Sequence, residues 1–418
     1  MNILFSIIIP VYNSEKFIKN TIYSIAKQKK DNVEIIIIND NSKDKTLFFC
    51  KKLKEKYSYI KIINNKKNIG VGSSRNKGIK EARGDYIIFV DSDDGLYANS
   101  LNKIEKNIII NQLPQVIFVR YQKSTYPNSN FNLINENIIN KNKPNNFLKY
   151  LNKTNFPFAD CWLFVVKRKF LLSKNIYFAD IRFGESEIFV VKTLTQMRKF
   201  IFIKDLFYDK KDRDSSLNHS NDYNATLSVL ISILDFCKYI KLGVLSEFRK
   251  KFIHRYLQDA FGVFTALLML RNKSELKKLS LHINNNKTIL SNYIKKPENT
   301  KLTSFIKKTN SNCALNYKNF ISNFHYNKII SSNYRYVSIF CYCRSKYSEA
   351  LIKILKSYKI KVEGIIDDNP KYNNTKFLNF KTINSNYFFS KYKKNIPNIM
   401  IIICHQRNSI GKKIAEIF

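Results

Sequence analysis

Short runs of unbroken apolar residues recur through the first 120 positions, separated by stretches whose apolar residues return every three or four. Leu4–Ile9, Val33–Asn39, Ile60–Asn64, Tyr86–Asp91 and Gln115–Arg120 read as strands. Ile7-Ile8-Ile9 and Ile35-Ile36-Ile37-Ile38 lack alternation, the pattern of strands covered by helices on both faces. Ser14–Lys29, Asp44–Lys56 and Ser73–Ala82 lie between them with apolar positions at helical spacing. This βαβ alternation predicts an α/β fold with a mostly parallel sheet. Ligands of such sheets bind beyond the carboxyl ends of the strands, where Asn39-Asp40 and Asp91-Ser92-Asp93 fall.

The pattern then changes. Residues 121–155 are Asn-rich and polar and read as a long excursion. Apolar density returns around Cys161–Val166 and Phe183–Phe189. From 221 to 332 the spacing is helical, with Phe248, Phe252, Tyr256, Leu257, Phe261 and Phe264 as an aromatic stripe. The stripe reads as core, with an amphipathic membrane-facing helix as the alternative. Residues 333–418 return to strand and helix. Val337–Cys341, Val362–Ile366 and Ile399–Cys404 read as strands and Ser348–Tyr358 as a helix, so a small Rossmann-like α/β domain is expected. Its first βα turn, Cys341–Tyr347, has no glycine, so dinucleotide binding is not expected there despite Asp367-Asp368 after the second strand. Three domains follow: 1–220, a helical region 221–332, and 333–418.

A net charge of +40 over 418 residues is extreme. It fits the anionic face of a membrane or a coding bias toward Lys, Asn and Ile. The basic residues are spread along the chain and not gathered in one module, so nucleic acid is not the expected partner. Seven scattered cysteines form no zinc spacing and no disulfide framework, as for free thiols in a reducing compartment. Met1-Asn2 runs straight into an apolar strand without a basic leader, and Ala260–Leu270 is about half a bilayer span. A cytoplasmic chain, peripheral on the inner face of the plasma membrane, is expected.

The chemistry concentrates in Gly84-Asp85-Tyr86-Ile87-Ile88-Phe89-Val90-Asp91-Ser92-Asp93-Asp94. Mg²⁺ and Mn²⁺ take oxygen ligands and bridge one or two protein carboxylates to substrate phosphates. On an extended backbone Asp91 and Asp93 point to the same side. A solvated turn at Asp93-Asp94-Gly95 is the plainer alternative. Five of the ten glycines (Gly70, Gly72, Gly78, Gly84, Gly95) lie beside these acids, as if backbone approached a ligand there.

Four ordered motifs carry a resemblance: Ser6–Asn13, Ile38–Thr46, Asn68–Gly78 and the acidic stretch at 91–94. Over residues 3–220 the chain resembles the family 2 glycosyltransferases of the GT-A fold. The resemblance implies a nucleotide-sugar pocket. Pro10, Val11 and Tyr12 would line the base loop, and Asp40 would accept a hydrogen bond from a uracil ring nitrogen. Arg75 would lie near the nucleotide, with Ser92 in the donor pocket. Asp91 would hold the ribose and, with Asp93, the Mn²⁺ or Mg²⁺ on the diphosphate of a UDP-sugar. Where the family carries Glu-Asp, with the Asp as base, this chain has Glu185-Ser186-Glu187, so Glu187, or else Glu185, would take the proton. Trp162 would stack on a sugar or pack in the core. Arg213 would touch the diphosphate or be a solvated loop charge. His219 has no evident partner.

The expected activity is an inverting, metal-dependent hexosyl transfer from a UDP-sugar to a glycan or glycolipid acceptor of a bacterial surface. The alternative is a non-catalytic sugar-nucleotide or glycan-binding module.

Overall fold

Phe5–Val11 forms β1, every residue buried, because helices cover both faces of the sheet. β2, Val33–Asn39, is equally buried and pairs in parallel from Phe5↔Val33 to Val11↔Asn39. β3, Ile60–Asn64, lies at the sheet edge, and its lower burial follows. β4, Tyr86–Phe89, pairs with the other side of β1. Between these strands run α1, Ile18–Ala26, α2, Thr46–Lys56, and α3, Val71–Glu81. In the computed structural model these elements belong to the first of two compact units, Met1–His219 with Gly243–Ile253. The second unit is Ser220–Leu242 with His254–Phe418.

The structure describes residues 3–28, 31–123, 144–154, 160–211, 222–242, 245–269 and 271–286. Residues 289 and 352 and short strands between 338 and 403 complete it. Among these, no helix is long and apolar enough to cross a membrane.

The first sheet continues with β5, Gly95–Leu96, β6, Val116–Lys123, β7, Phe164–Lys167, and β8, Phe200–Lys210. Its order is β3-β2-β1-β4-β7-β6-β8-β5. β7 runs antiparallel to both β4 and β6, and β8 runs parallel to β6. The sheet is therefore parallel on one side and mixed on the other. α4, Ser100–Ile110, α5, Pro144–Thr154, α6, Arg168–Ser173, and α7, Glu185–Gln196, are further helices of this stretch.

Three expectations change. The strand expected through Asp91 stops at Phe89, because Asp94 N–H turns back onto the Asp91 carbonyl at 3.1 Å. The excursion at 121–155 holds α5, whose Phe147, Leu148 and Leu151 are wholly buried. At two members of the glycine cluster, packing requires the side chain to be missing. A Cβ on Gly78 would collide with Ile8, and one on Gly84 would lie 2.7 Å from the Ser6 nitrogen.

In the second unit, α8, Tyr223–Lys241, is capped by Asp222, whose carboxylate accepts the Ala225 N–H at 2.9 Å. α9, Glu247–Met269, starts among the residues of the first unit and continues among those of the second; its Phe252, Tyr256, Leu257 and Phe264 are buried and Phe248 is half-buried, so this much of the aromatic stripe is core. The Phe261 side chain lies outside the described residues. α10, Lys273–Asn285, begins with a capping box of Asn272 and Glu275. A second sheet comprises β9, Ser338–Tyr342, β10, Val362–Ile366, β11, Lys376–Phe377, β12, Phe380–Ile383, and β13, Ile399–Ile403. Its order is β11-β12-β10-β9-β13, with β11 antiparallel and the rest parallel. Residues 343–347, Asp367-Asp368 and most of the helix expected at 348–358 lie outside the described residues.

Candidate active site

The carboxyl ends of β1 and β2 are stitched together. Asp40 N–H donates to the Val11 carbonyl at 2.9 Å. Asn13, at a left-handed φ of 49°, donates its N–H to Ser42 Oγ and accepts the Lys43 N–H at 2.9 Å. Pro10 and Val11 are buried, whereas Tyr12 is 48% exposed and presents its ring beside this edge. The Asp40 carboxylate is itself buried. It accepts the N–H groups of Ile69 and Gly70 and the Asn65 amide, each at 2.8 Å. Gly70 has φ 86°, a conformation costly for a side-chain-bearing residue, and this aims its N–H at Asp40.

Beyond β4 the acidic residues form a tight turn, not an extended strand. Ser92 faces inward: its hydroxyl meets Ser14 Oγ at 2.7 Å, and its carbonyl accepts from Thr21 at 2.9 Å. It anchors the turn to the loop after β1. Asp94 is wholly buried and accepts from Tyr208 Oη at 2.7 Å, Lys210 Nζ at 2.8 Å and Lys211 N–H at 2.9 Å. Asp91 accepts from Arg75 Nη2 at 2.8 Å and faces Lys210 Nζ at 3.5 Å, and its side chain keeps 25% exposure at the rim. Asp93 is half-buried.

Arg75, on α3, is buried and bridges two acids far apart in sequence. Its Nη1 donates to Glu185 Oε1 at 2.9 Å. Its guanidinium also lies 5.3 Å from the Phe178 ring centre, and Phe178 stacks on Phe189 at 4.2 Å. α3 approaches α7 closely at Gly72, where a Cβ would lie 3.0 Å from Glu185 Cγ.

Glu185 opens α7 after Gly184, at φ 82°. Ser186 Oγ accepts the Cys161 N–H at 3.1 Å. Glu187 is half-buried and lies about 200° around the helix from Glu185. Trp162 is buried, stacked on Tyr208 at 4.6 Å with Tyr121 edge-on at 4.9 Å, so it serves the core and not a sugar face. Arg213 and His219 lie outside the described residues. From the sequence, Lys210 and Asp160 carry no role of their own and Asp94 only that of a turn residue. The acid after Asp93 signalled Asp94, but nothing local to Lys210 marks it, because its role depends on β8 reaching the turn.

Burial opposes ionisation of Asp91, but Arg75 and then Lys210 outweigh it and hold the carboxyl below the ordinary carboxylate range. Asp94 is pushed up to about 6 by burial and then by the Asp91 charge, against Lys210. Asp160 is solvent-open yet ringed by protein. Lost hydration, then the Asp91 charge, push it up to about 6. Burial raises the Cys161 thiol to about 12, which keeps it neutral.

Among the described residues, no three His, Cys, Asp or Glu side chains converge to hold a metal ion by themselves. The oxygen donors of Asp91 and Asp93 fit a different arrangement, in which one or two carboxylates share a hard cation with substrate phosphates.

Residues 6–172 match the family model described as glycosyl transferase family 2. The cholesterol galactosyltransferase of Borreliella burgdorferi is 30% identical over 224 residues, 51% of this chain and 62% of that protein. The minor teichoic acid biosynthesis protein GgaB of Bacillus subtilis is 31% identical over 221 residues, 50% of this chain and 23% of that protein. The chain thus spans less than two thirds of the length of these relatives. In structure it is similar to residues 1–349 of S. aureus TarS, solved in complex with UDP-GlcNAc, with a TM-score of 0.51 at 19% identity. That match covers 78% of this chain and 92% of that one, and it is a likeness of fold. The segment that runs from β1 into α6 of this α/β sheet of GT-A type, residues 6–172, is thus similar to glycosyl transferase family 2.

Proposed function

We propose that the first unit transfers a hexose from a UDP-sugar, with inversion, to a hydroxyl of a growing bacterial surface glycan such as lipooligosaccharide, capsule or a lipid-linked oligosaccharide. The observation that carries the reading is the acidic turn at Asp91–Asp94, set against Arg75 and Lys210 at the carboxyl ends of the parallel strands. The relatives support it: one is named as a galactosyltransferase, another for teichoic acid biosynthesis, and TarS was solved with UDP-GlcNAc.

In this reading Tyr12 offers its ring to the uracil, and Pro10 and Val11 offer backbone groups. Asp40 still has lone pairs beyond its three donors and accepts from the base. Asp91 holds the ribose. Arg75 keeps Asp91 ionised and holds both Asp91 and Glu185 in place. Asp93, with Asp91, holds Mn²⁺ or Mg²⁺, which when bound stabilises the negative charge of the departing diphosphate. A carboxylate takes the acceptor's proton as its oxygen attacks the anomeric carbon. The charge of +40 draws the chain to the anionic inner leaflet, at about 1 kcal/mol for each Lys or Arg near the surface.

UDP release from UDP-galactose, UDP-GlcNAc and UDP-glucose with Mn²⁺ tests the reading. Asp93→Ala is expected to lose at least about 100-fold in turnover while its melting temperature stays within a few degrees of the parent. An alanine variant retaining half the activity refutes the metal-binding role. A second reading, a non-catalytic sugar-nucleotide module, draws on Ser186 and on the engagement of Glu185 by Arg75. Tight UDP binding without release from any donor would favour it.

A further inference from the structure

An inverting transfer needs a carboxylate that is open to the acceptor, not already committed and on the side of the acidic turn, and the first turn of α7 supplies none that meets all three conditions. Glu185 is buried and donated to by Arg75 at 2.9 Å. Position 186 is a serine whose hydroxyl serves the backbone of Cys161. Glu187 points about 200° away from Glu185 around the helix, off the face that meets Arg75.

The residue joined to Cys161 is Asp160. Cys161 N–H lies 3.1 Å from Ser186 Oγ. By standard backbone lengths the Asp160 Cα is therefore no more than about 5.5 Å from that hydroxyl. An aspartate side chain, with its carboxyl carbon two bonds beyond Cα, is long enough to reach from there into the space that an acid at position 186 would fill. Two routes tie this point to the acidic turn. On one side Ser186 adjoins Glu185, which Arg75 joins to Asp91. On the other, Trp162 stacks on Tyr208, and its ring lies 5.5 Å from Lys210 Nζ, the cation facing Asp91 and Asp94. Asp160 is exposed where Asp94 and Glu185 are buried, and among the described residues nothing donates a hydrogen bond to its carboxylate.

We propose that Asp160 is the catalytic base of this transferase, standing in from a neighbouring loop for the acid that Ser186 replaces. The assignment rests on the glycosyl-transfer reading above. In the step, the acceptor O–H gives its proton to the Asp160 carboxylate while an oxygen lone pair forms the bond to the anomeric carbon. The bond from that carbon to the diphosphate oxygen breaks, and its electron pair leaves on UDP. Atoms and charge balance without any further reagent.

The test is UDP release from UDP-galactose, UDP-GlcNAc and UDP-glucose with Mn²⁺, with water and alkyl β-glycosides as acceptors, alongside UDP affinity by calorimetry. Asp160→Asn is expected to lower kcat at least about 100-fold with UDP affinity within about threefold of the parent, and Glu187→Gln to stay within about threefold on both. Adding Ser186→Asp to the Asp160→Asn variant is expected to restore at least about tenfold, because the carboxylate returns to the same space from the helix. Asp160→Asn keeping a third of the parental kcat overturns the assignment. So does an Asp160→Asn variant that fails to fold or loses UDP affinity, or a collapse of kcat in Glu187→Gln in its place. If the unaltered protein binds UDP but releases none from any donor, the transfer reading itself fails and this assignment goes with it.

Discussion

Asp40 and Asp91 both follow strands that flank β1, both are acids at the carboxyl edge of the sheet, and both are satisfied by close donors. The donors differ in kind. Asp40 is held by two backbone N–H groups and one amide, whereas Asp91 is held by a guanidinium and faces an ammonium. A backbone donor cannot leave without unmaking the loop that carries it. A charged side chain can turn to a diphosphate and back at the cost of a rotamer change. Asp40 therefore braces its own loop against the one between β3 and α3, while the donors that hold Asp91 are side chains, which can change rotamer. The edge combines a rigid half and an exchangeable half.

The largest expected effect breaks the exchangeable half. Arg75→Ala leaves Glu185 buried without its partner and Asp91 without its nearest cation, both close to a side chain only 5% exposed. Breaking a buried pair from one side costs about 3 kcal/mol or more. Denaturant unfolding should show that loss, and turnover should fall by about 1,000-fold or more. Arg75→Lys should recover little of either, since one ammonium cannot reach two acids in the geometry of a guanidinium fork. If Lys restores full activity, the bridge is not what organises the site.

How far the sequence reveals this edge follows from which interactions are local. β1 to β4 are legible because two-sided burial writes itself as runs of isoleucine. β7 and β8 are not, because their antiparallel and mixed pairings join segments far apart in the chain. Tyr12, Asp40, Asp91 and Asp93 are conspicuous as acids and aromatics at strand ends. The bridge from Arg75 to Glu185, 110 residues away, is invisible until α3 and α7 are packed. Lys210 is hidden for the same reason, being one lysine among many until β8 delivers it to Asp94. The period-two argument for Asp91 and Asp93 fails because the chain leaves the ladder two residues early and turns. Four positions of the stripe in α9, Phe252, Tyr256, Leu257 and Phe264, are readable as core from spacing alone.

A middle-sized effect sharpens the rigid half. Asp40→Asn keeps the shape but turns an amide NH₂ toward at least one backbone N–H, at Ile69 or Gly70. An unmade buried hydrogen bond to a formerly charged group costs about 2 kcal/mol. Thermal or denaturant unfolding should register that loss, with UDP affinity lowered by less than about tenfold. A variant with parental stability and no UDP binding would reverse the roles given to the two acids.

The smallest effect is read in pH. The Asp160 carboxyl is raised to about 6 by lost hydration and by Asp91, with Arg75 and Lys210 opposing and Glu185 adding to the rise. Tyr121 also interacts with it and is raised by burial first and then by the Asp160 charge. A base acts in its ionised form, so turnover should be full above this value and fall as pH drops through about 6, by up to about tenfold per unit. The sign is fixed: a raised carboxyl keeps its proton to higher pH, so activity is lost on the acid side. Asp94 is also raised to about 6, by burial and then Asp91, so one limb in the parent does not by itself name its owner. The rescued double variant, Asp160→Asn with Ser186→Asp, separates them. A limb that moves with the relocated carboxylate belongs to the base, whereas a limb unmoved at about 6 belongs to Asp94 and to the exchange of cations around the acidic turn.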